Sequence, residues 1–347
     1  MTHLSGQFPV DLLVDESRLE SVLARWDERH RVWHGPAHLS SMSEEIGATF
    51  DGDEQRTLLL AAVYHDAIYD PRASDNEEAS ARLLLEDVKD PASPIVRAAV
   101  ELIRLSKWER LPEHKLGRAF FDLDTRQLSD ACPTGERLAY ERAIFREYQF
   151  APWNSYRVKR GEFLEGWADR FPEHARGAAE CSELLEALQP RIALYPGSFN
   201  PFHLGHLSTL RQAEASFDKV IIGLGINRQK PGAAEAFAGR LAELQARLRY
   251  HEVAAIDGLV TRFLDALPLP ATVVRGVRDG TDLEAELRYA RFLDELRPET
   301  NVVWIACEPE LQHLSSSSIR ELESIEPGAG ARYVPDSRKI YAPDSGV

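Results

Sequence analysis

Cysteine and methionine are scarce in this 347-residue chain, which has three of the first and two of the second. Cys132, Cys181 and Cys307 stand far apart and match no zinc-ligand spacing. A disulfide framework and a structural zinc module are therefore not expected, and reduced thiols in a cytoplasm are the simplest reading. Long hydrophobic runs are missing too. No stretch approaches the roughly 20 apolar residues that cross a bilayer, and the opening Met-Thr-His-Leu-Ser-Gly-Gln lacks a basic region followed by an apolar one. Positive charge is in deficit, with 41 Lys and Arg against 56 Asp and Glu, a formal -15. That balance argues against a general nucleic-acid binder, because phosphate backbones are held by dense Lys and Arg. A small anion held by a few placed cations remains open. The expectation is a cytoplasmic protein with small-molecule partners, no nucleic acid and no membrane.

What is present divides in two. Residues 1–188 show helical periodicity almost throughout, as in Leu19, Val22, Leu23, Trp26 and again in Ile95, Val96, Ala99, Val100, Ile103. Asp-Gly-Asp at 51–53, Asp-Pro-Ala-Ser-Pro at 90–94 and Pro112 separate the segments. Asp75 followed by Glu78 predicts a helix start with a capping side chain. After Gln189-Pro190 the texture changes. Short β-rich runs at 192–195, 220–226, 272–277 and 302–306 alternate with helical stretches at 204–217, 239–249, 258–267 and 281–296. Alternation of this kind predicts a parallel sheet with crossover helices, and ligands at the carboxyl ends of its strands. The expected fold is multidomain: an all-α domain over 1–188, then an α/β Rossmann-like domain over 191–347.

The densest signal is Tyr195-Pro-Gly-Ser-Phe-Asn-Pro-Phe-His-Leu-Gly-His206. It reads as a strand, a glycine turn and a helix start carrying two histidines. The first N–H groups of a helix lack backbone partners and carry partial positive charge, which suits phosphate. Three further clusters fall where the sheet would deliver them: Asn227 to Pro231, Arg275 to Asp279 with Asp282 and Glu286 downstream, and Leu314 to Arg320. They supply cations, a glycine for close approach, and hydroxyls at a helix start, which is what a triphosphate needs.

On these residues the second half resembles bacterial phosphopantetheine adenylyltransferases, within the nucleotidylyltransferases that carry a (His/Thr)-x-Gly-His signature. The resemblance spans 191–343 and includes Arg275-Gly-Val-Arg278, Asp282-Leu-Glu-Ala-Glu286 and Ser315-Ser-Ser317. It implies transfer of the adenylyl group of ATP to 4'-phosphopantetheine, with Mg²⁺ accompanying ATP, giving dephospho-coenzyme A and pyrophosphate. It also implies homo-oligomers, which an added helical half could obstruct. By the same resemblance His206, Lys230 and Arg278 are catalytic. ATP would be held by Ser198, Phe199, His203, His206, Gly276, Val277, Arg278, Glu286, Leu311, Gln312, His313, Leu314, Ser315, Ser316 and Ser317. The acceptor would be held by Ser198, Lys230, Val260 and Arg275. The chain departs from the family's usual Thr at His203 and its usual Asp at Asn200. Because the histidine form is commoner in nicotinamide mononucleotide adenylyltransferases and cytidylyltransferases, the alternative is the former or another nucleotidylyltransferase. A regulatory nucleotide binder with inert sites is the non-enzymatic one.

In the first half the chemistry lies in His34, His38, Tyr64-His65-Asp66 and Asp122-Leu-Asp124. His34 and His38 would share a face if their segment is helical. Imidazole with carboxylate suits Mn, Fe or Zn. The order resembles the HD superfamily of metal-dependent phosphohydrolases, in a branch with His-Asp-Ala-x-Tyr-Asp and Asp-Asn-Glu motifs, here 65–70 and 75–77. The resemblance assigns a divalent metal to His38, His65, Asp66 and Asp124, with His34 lining the pocket or serving as second-choice ligand. Where that branch has Thr-x-His, this chain has Leu105-Ser106-Lys107-Trp108.

Overall fold

The computed structural model describes residues 13–225 and 233–343, with only the backbone for 233–236. Lys230 and the rest of the Asn227–Pro231 cluster lie outside the described residues. Two compact units are present, each with its own core. Of the described residues, the first comprises 13–147, Arg157–Leu188 and Ala342 with Pro343; the second comprises Tyr148–Tyr156 and the rest of Gln189–Tyr341.

The first unit is helical: α1 (Glu16–Trp26), α2 (Pro36–Thr49), α3 (Gly52–Tyr64), α4 (Asn76–Asp87), α5 (Pro94–Leu105), α6 (Lys115–Asp124), α7 (Thr134–Glu147), most of α8 (Trp153–Arg170) and α9 (Ala175–Ala187). Its centre is α3, in which Thr57 to Tyr64 are all buried. A helix that is apolar all round can only be stable when neighbours enclose it; α1, α2, α4, α5 and α6 do so. Enclosure carries the end of α3 into the core, and His65, the residue that closes the helix, is 1% exposed.

Two local expectations are corrected. Asp75 does precede α4, but its side chain makes no capping bond, and Glu78 pairs instead with Arg104 at 2.8 Å. His34 lies before α2, which starts at Pro36, so His34 and His38 do not share a helix face. Their rings still meet edge to face, with centroids 6.2 Å apart.

The second unit alternates strands and helices: β1 (Ile192–Gly197), α10 (Leu204–Ser216), β2 (Lys219–Gly225), α11 (Ala233–Arg247), β3 (Val253–Ile256), α12 (Val260–Ala266), β4 (Ala271–Val277), α13 (Gly280–Leu296), β5 (Val302–Ala306), α14 (Ser316–Ile325) and α15 (Ser337–Tyr341). The sheet is parallel, in the order β3-β2-β1-β4-β5. Residues of β1 alternate between faces, as strand geometry requires. Ala193 and Tyr195 pack with α10 and α11, whereas Ile192 and Leu194 pack with α12 and α13. Strand β3 escaped the sequence reading, because Val-Ala-Ala-Ile is short and weakly β-branched. Its backbone pairs with Ile222–Gly225 of β2 all the same. The order of connection reverses between β1 and β4, and a parallel sheet opens a ligand crevice at such a point.

Candidate functional site

At that reversal a cleft of about 240 Å³ opens, lined from the ends of β1, β4 and β5 and the starts of α10 and α14. From β1 and the turn after it come Tyr195 to Phe199, from α10 and its cap His203, His206 and Thr209, and from the end of β4 and the residue after it Arg275, Gly276 and Arg278. Leu314, Ser315 and Ser316 close the far side, with Cys307 and α13's Asp282 and Glu286. Of the sequence-predicted residues, Val260, Val277, Leu311, Gln312, His313 and Ser317 do not line this cleft. Val260 packs against the core on the α12 face, Gln312 and His313 are exposed, and Leu314 is 2% exposed. Thr209 and Cys307 line it and were missed; Tyr195, Pro196, Gly197 and Gly205 of the 195–206 stretch line it too, without having been given a binding role. Thr209 was findable as the residue one turn beyond His206.

The two histidines form a reciprocal cap at the start of α10. His206 Nδ1 accepts the His203 N–H, and His203 Nδ1 accepts the Gly205 N–H, each at 3.2 Å. With both Nδ1 atoms accepting, each neutral ring carries its proton on Nε2. Burial pushes the His203 imidazole down to about 4, with the Arg278 charge adding to it. Burial, then His203 and the two arginines, hold His206 well below the ordinary histidine value. Both rings are held neutral, and each leaves an Nε2–H free to act as a donor.

The cations are themselves held. Glu286 accepts from Arg275 Nε at 2.7 Å and Nη2 at 2.6 Å, while Arg275 Nη1 donates to the Pro196 carbonyl at 2.7 Å. Arg278 pairs with Asp282 at 3.3 Å. Gly276, expected to permit close approach of a phosphate, lines the cleft and also makes room for α10: a Cβ there would sit 2.7 Å from Thr209 Oγ1. On α14, Ser315 and Ser318 cap each other, and Ser316 Oγ donates to the Pro201 carbonyl at 3.0 Å. This ties α14 to the loop before His203.

The first unit holds a second constellation. Ligand atoms of His38, His65 and Asp124 all lie within 4.8 Å of one another. Asp124 Oδ1 is 3.2 Å from His38 Nε2 and 3.4 Å from His65 Nε2, and Asp66 Oδ2 is 3.2 Å from His65 Nε2. The fit to a cation can be judged at His65. Its Nδ1 donates to the Ala62 carbonyl at 2.9 Å, so in the neutral ring Nε2 is a bare lone pair. That buried atom has no aligned hydrogen-bond partner, yet it faces carboxylate oxygens. Lone pair against lone pair is repulsive unless a proton or a metal ion lies between them. Burial alone would lower the His65 value, but Asp66 and Asp124 hold it well above the ordinary one. The backbone bond at Nδ1 is also the outer contact that a metal-ligating histidine makes. The donor set fits a divalent ion.

His34 is anchored elsewhere. The Glu147 carboxylate, wholly buried, accepts the N–H groups of Val32, Trp33 and His34 on Oε1 at 2.7, 2.7 and 2.8 Å. Its Oε2 takes the His34 Nδ1 and Tyr69 hydroxyl protons, each at 2.6 Å. No motif flags Glu147, which is 113 residues from His34.

A family model described as cytidylyltransferase-like matches residues 194–322. Among curated proteins, the chain is 34% identical over 146 residues to the phosphopantetheine adenylyltransferase of Leuconostoc citreum, covering 42% of this chain and 91% of that protein. It is 35% identical over 163 residues to that of Rubrobacter xylanophilus, covering 45% and 98%. With the Clostridium perfringens protein the identity is 32% over 147 residues, covering 42% and 88%. The relatives correspond to about two-fifths of the chain, and the matched region carries the histidine cap, the β1–β4 crevice and the serine-capped α14. Through that region the chain is a nucleotidyltransferase and belongs to the phosphopantetheine adenylyltransferase family.

Proposed function

We propose that the second unit transfers the adenylyl group of ATP to 4'-phosphopantetheine, releasing pyrophosphate. The observation that carries this reading is the pair of neutral, Nε2-donating histidines at a helix start in the β1–β4 crevice. Adenylyl transfer is an in-line displacement at phosphorus and needs positioning and neutralisation of growing oxygen charge. The acceptor is a phosphate, already ionised near neutral pH, so no strong general base is required. His206 donates from Nε2 to the α-phosphate as charge accumulates there. Arg278 and the α14 helix start hold the β- and γ-phosphates, and Arg275 faces the acceptor side. Lys230, catalytic by resemblance, belongs to the same proposal. The lining carboxylates, Asp282 and Glu286, are committed to arginines, which favours Mg²⁺ arriving on the triphosphate. Pyrophosphate release from ATP, measured with 4'-phosphopantetheine and with nicotinamide mononucleotide, tests the acceptor. Release with the second alone would replace the assignment; release with neither would leave a nucleotide binder. His206→Ala should lower the rate by about 10² to 10³ and leave nucleotide affinity nearly unchanged.

For the first unit we propose a divalent metal centre on His38, His65, Asp66 and Asp124 that hydrolyses a phosphate ester. A Mn, Fe or Zn ion held there supplies Lewis-acid activation of water. The chain's part is to keep both Nε2 lone pairs and the carboxylate oxygens converged, and to hold His34 at the rim through Glu147. Metal content of the purified chain against His65→Ala tests it; equal content would remove the ligand assignment.

A further inference from the structure

Trp108 has no role in the proposed reactions, yet its geometry is costly to maintain. It is 4% exposed and lies between α5 and α6 with φ +47°. Bulky residues rarely enter that left-handed region. Such strain persists only where the surroundings over-determine it, and it gathers at functional sites. Here the Trp108 N–H donates to the Leu105 carbonyl at 2.8 Å, and its own carbonyl accepts from Arg170 at 2.9 Å. The ring stands edge-on to Phe121, with centroids 5.0 Å apart. What this backbone achieves is the direction of the indole. Its Nε1–H donates to Asp124 Oδ2 at 2.6 Å, while Asp124 Oδ1 faces His38 and His65.

We infer that Trp108 is a positioning residue for the divalent ion, fixing Asp124 as a ligand through Oδ1 alone. The inference rests on the metal reading of this cluster. A carboxylate is broadly free about its last torsion and can offer either oxygen or both. An indole N–H only donates and cannot itself bind a cation. Engaging Oδ2 therefore both stops the rotation and reserves Oδ1 for the ion that the two imidazole lone pairs would share. The plainer explanation is that a buried indole needs some acceptor. On that account the contact would serve stability, and loss of the N–H would leave metal affinity alone.

The test is Mn²⁺ binding to the full chain, read from the free-ion electron paramagnetic resonance signal and counting only binding that His65→Ala abolishes. Trp108→Phe should weaken that affinity by about 10- to 100-fold, as loss of outer contacts to metal ligands does. Should Trp108→Phe fail to fold, benzothienylalanine in place of Trp108 keeps the bicyclic ring and lacks the N–H; the same weakening is expected. Affinity within twofold of wild type in a folded variant overturns the Trp108 inference and leaves the metal centre standing. No His65-dependent binding by the wild-type chain overturns both.

Discussion

His203 and His206 cap one another at the head of α10, with ring centroids 3.7 Å apart. Neither ring can take up a proton without placing charge beside its neighbour and the Arg278 guanidinium. In an unfolded chain both would titrate near 6.5. As pH falls from 6.5 towards 4 the unfolded state therefore binds protons that the folded state refuses, and stability is lost over that window. His203→Asn keeps a side-chain acceptor at the cap and removes one of the two sites. Its melting temperature should fall less steeply between pH 6.5 and 4 than that of the wild-type chain. An unchanged slope would show that the histidine pair does not govern this acid sensitivity.

Glu147 is the acceptor for three backbone and two side-chain donors. Burial would raise its carboxyl, but His34 and the Tyr69 hydroxyl hold it below the usual range. Glu147→Gln turns an amide N–H₂ toward donors and removes the charge that His34 faces. Denaturant unfolding should register a loss of about 3 kcal/mol, the scale of breaking a buried charged pair.

Gly276 and Thr209 are a size-matched pair. Gly276→Ala should destabilise the chain, because its Cβ would lie 2.7 Å from Thr209 Oγ1. Thr209→Ala in the same chain should restore most of the loss. Additive effects in a double-mutant cycle would place the origin of the damage elsewhere.

Lys219, 1% exposed at the start of β2, pairs with Glu252 at 2.8 Å. It also donates to the carbonyls of Gln149 at 2.5 Å and Ala151 at 2.6 Å. Lys219→Met leaves a carboxylate and two carbonyls without their donor, and urea unfolding should show a loss of about 3 kcal/mol. A loss under 1 kcal/mol would mean that water replaces the ammonium.

The helical texture of the first half, four of the five strands and most of the cleft were legible because each rests on local periodicity or on a strand end. Strand β3 was not: four residues with two alanines carry little β signal, and the partner strand supplies the pairing. Trp108 and Glu147 were hidden for a different reason. Each acts through a contact with a residue distant in sequence, Asp124 for one and His34 for the other; position 108 stands out only as a departure from Thr-x-His, and nothing near Glu147 marks it. Gly276 was legible as a cleft glycine, and only packing reveals that Thr209 of α10 also requires it.

Gln149 accepts the Val220 N–H through its side chain at 3.0 Å and, through its carbonyl, the N–H of Glu252 at 3.1 Å as well as the Lys219 ammonium. Nine residues from the helical half of the sequence, Tyr148–Tyr156, are thus part of the sheet unit. Cutting the gene at the change of texture near Gln189 would yield a fragment in which the buried Lys219 ammonium keeps Glu252 and loses the carbonyls of Gln149 and Ala151. The sheet unit is made from two stretches of the chain, and a single cut near Gln189 parts them.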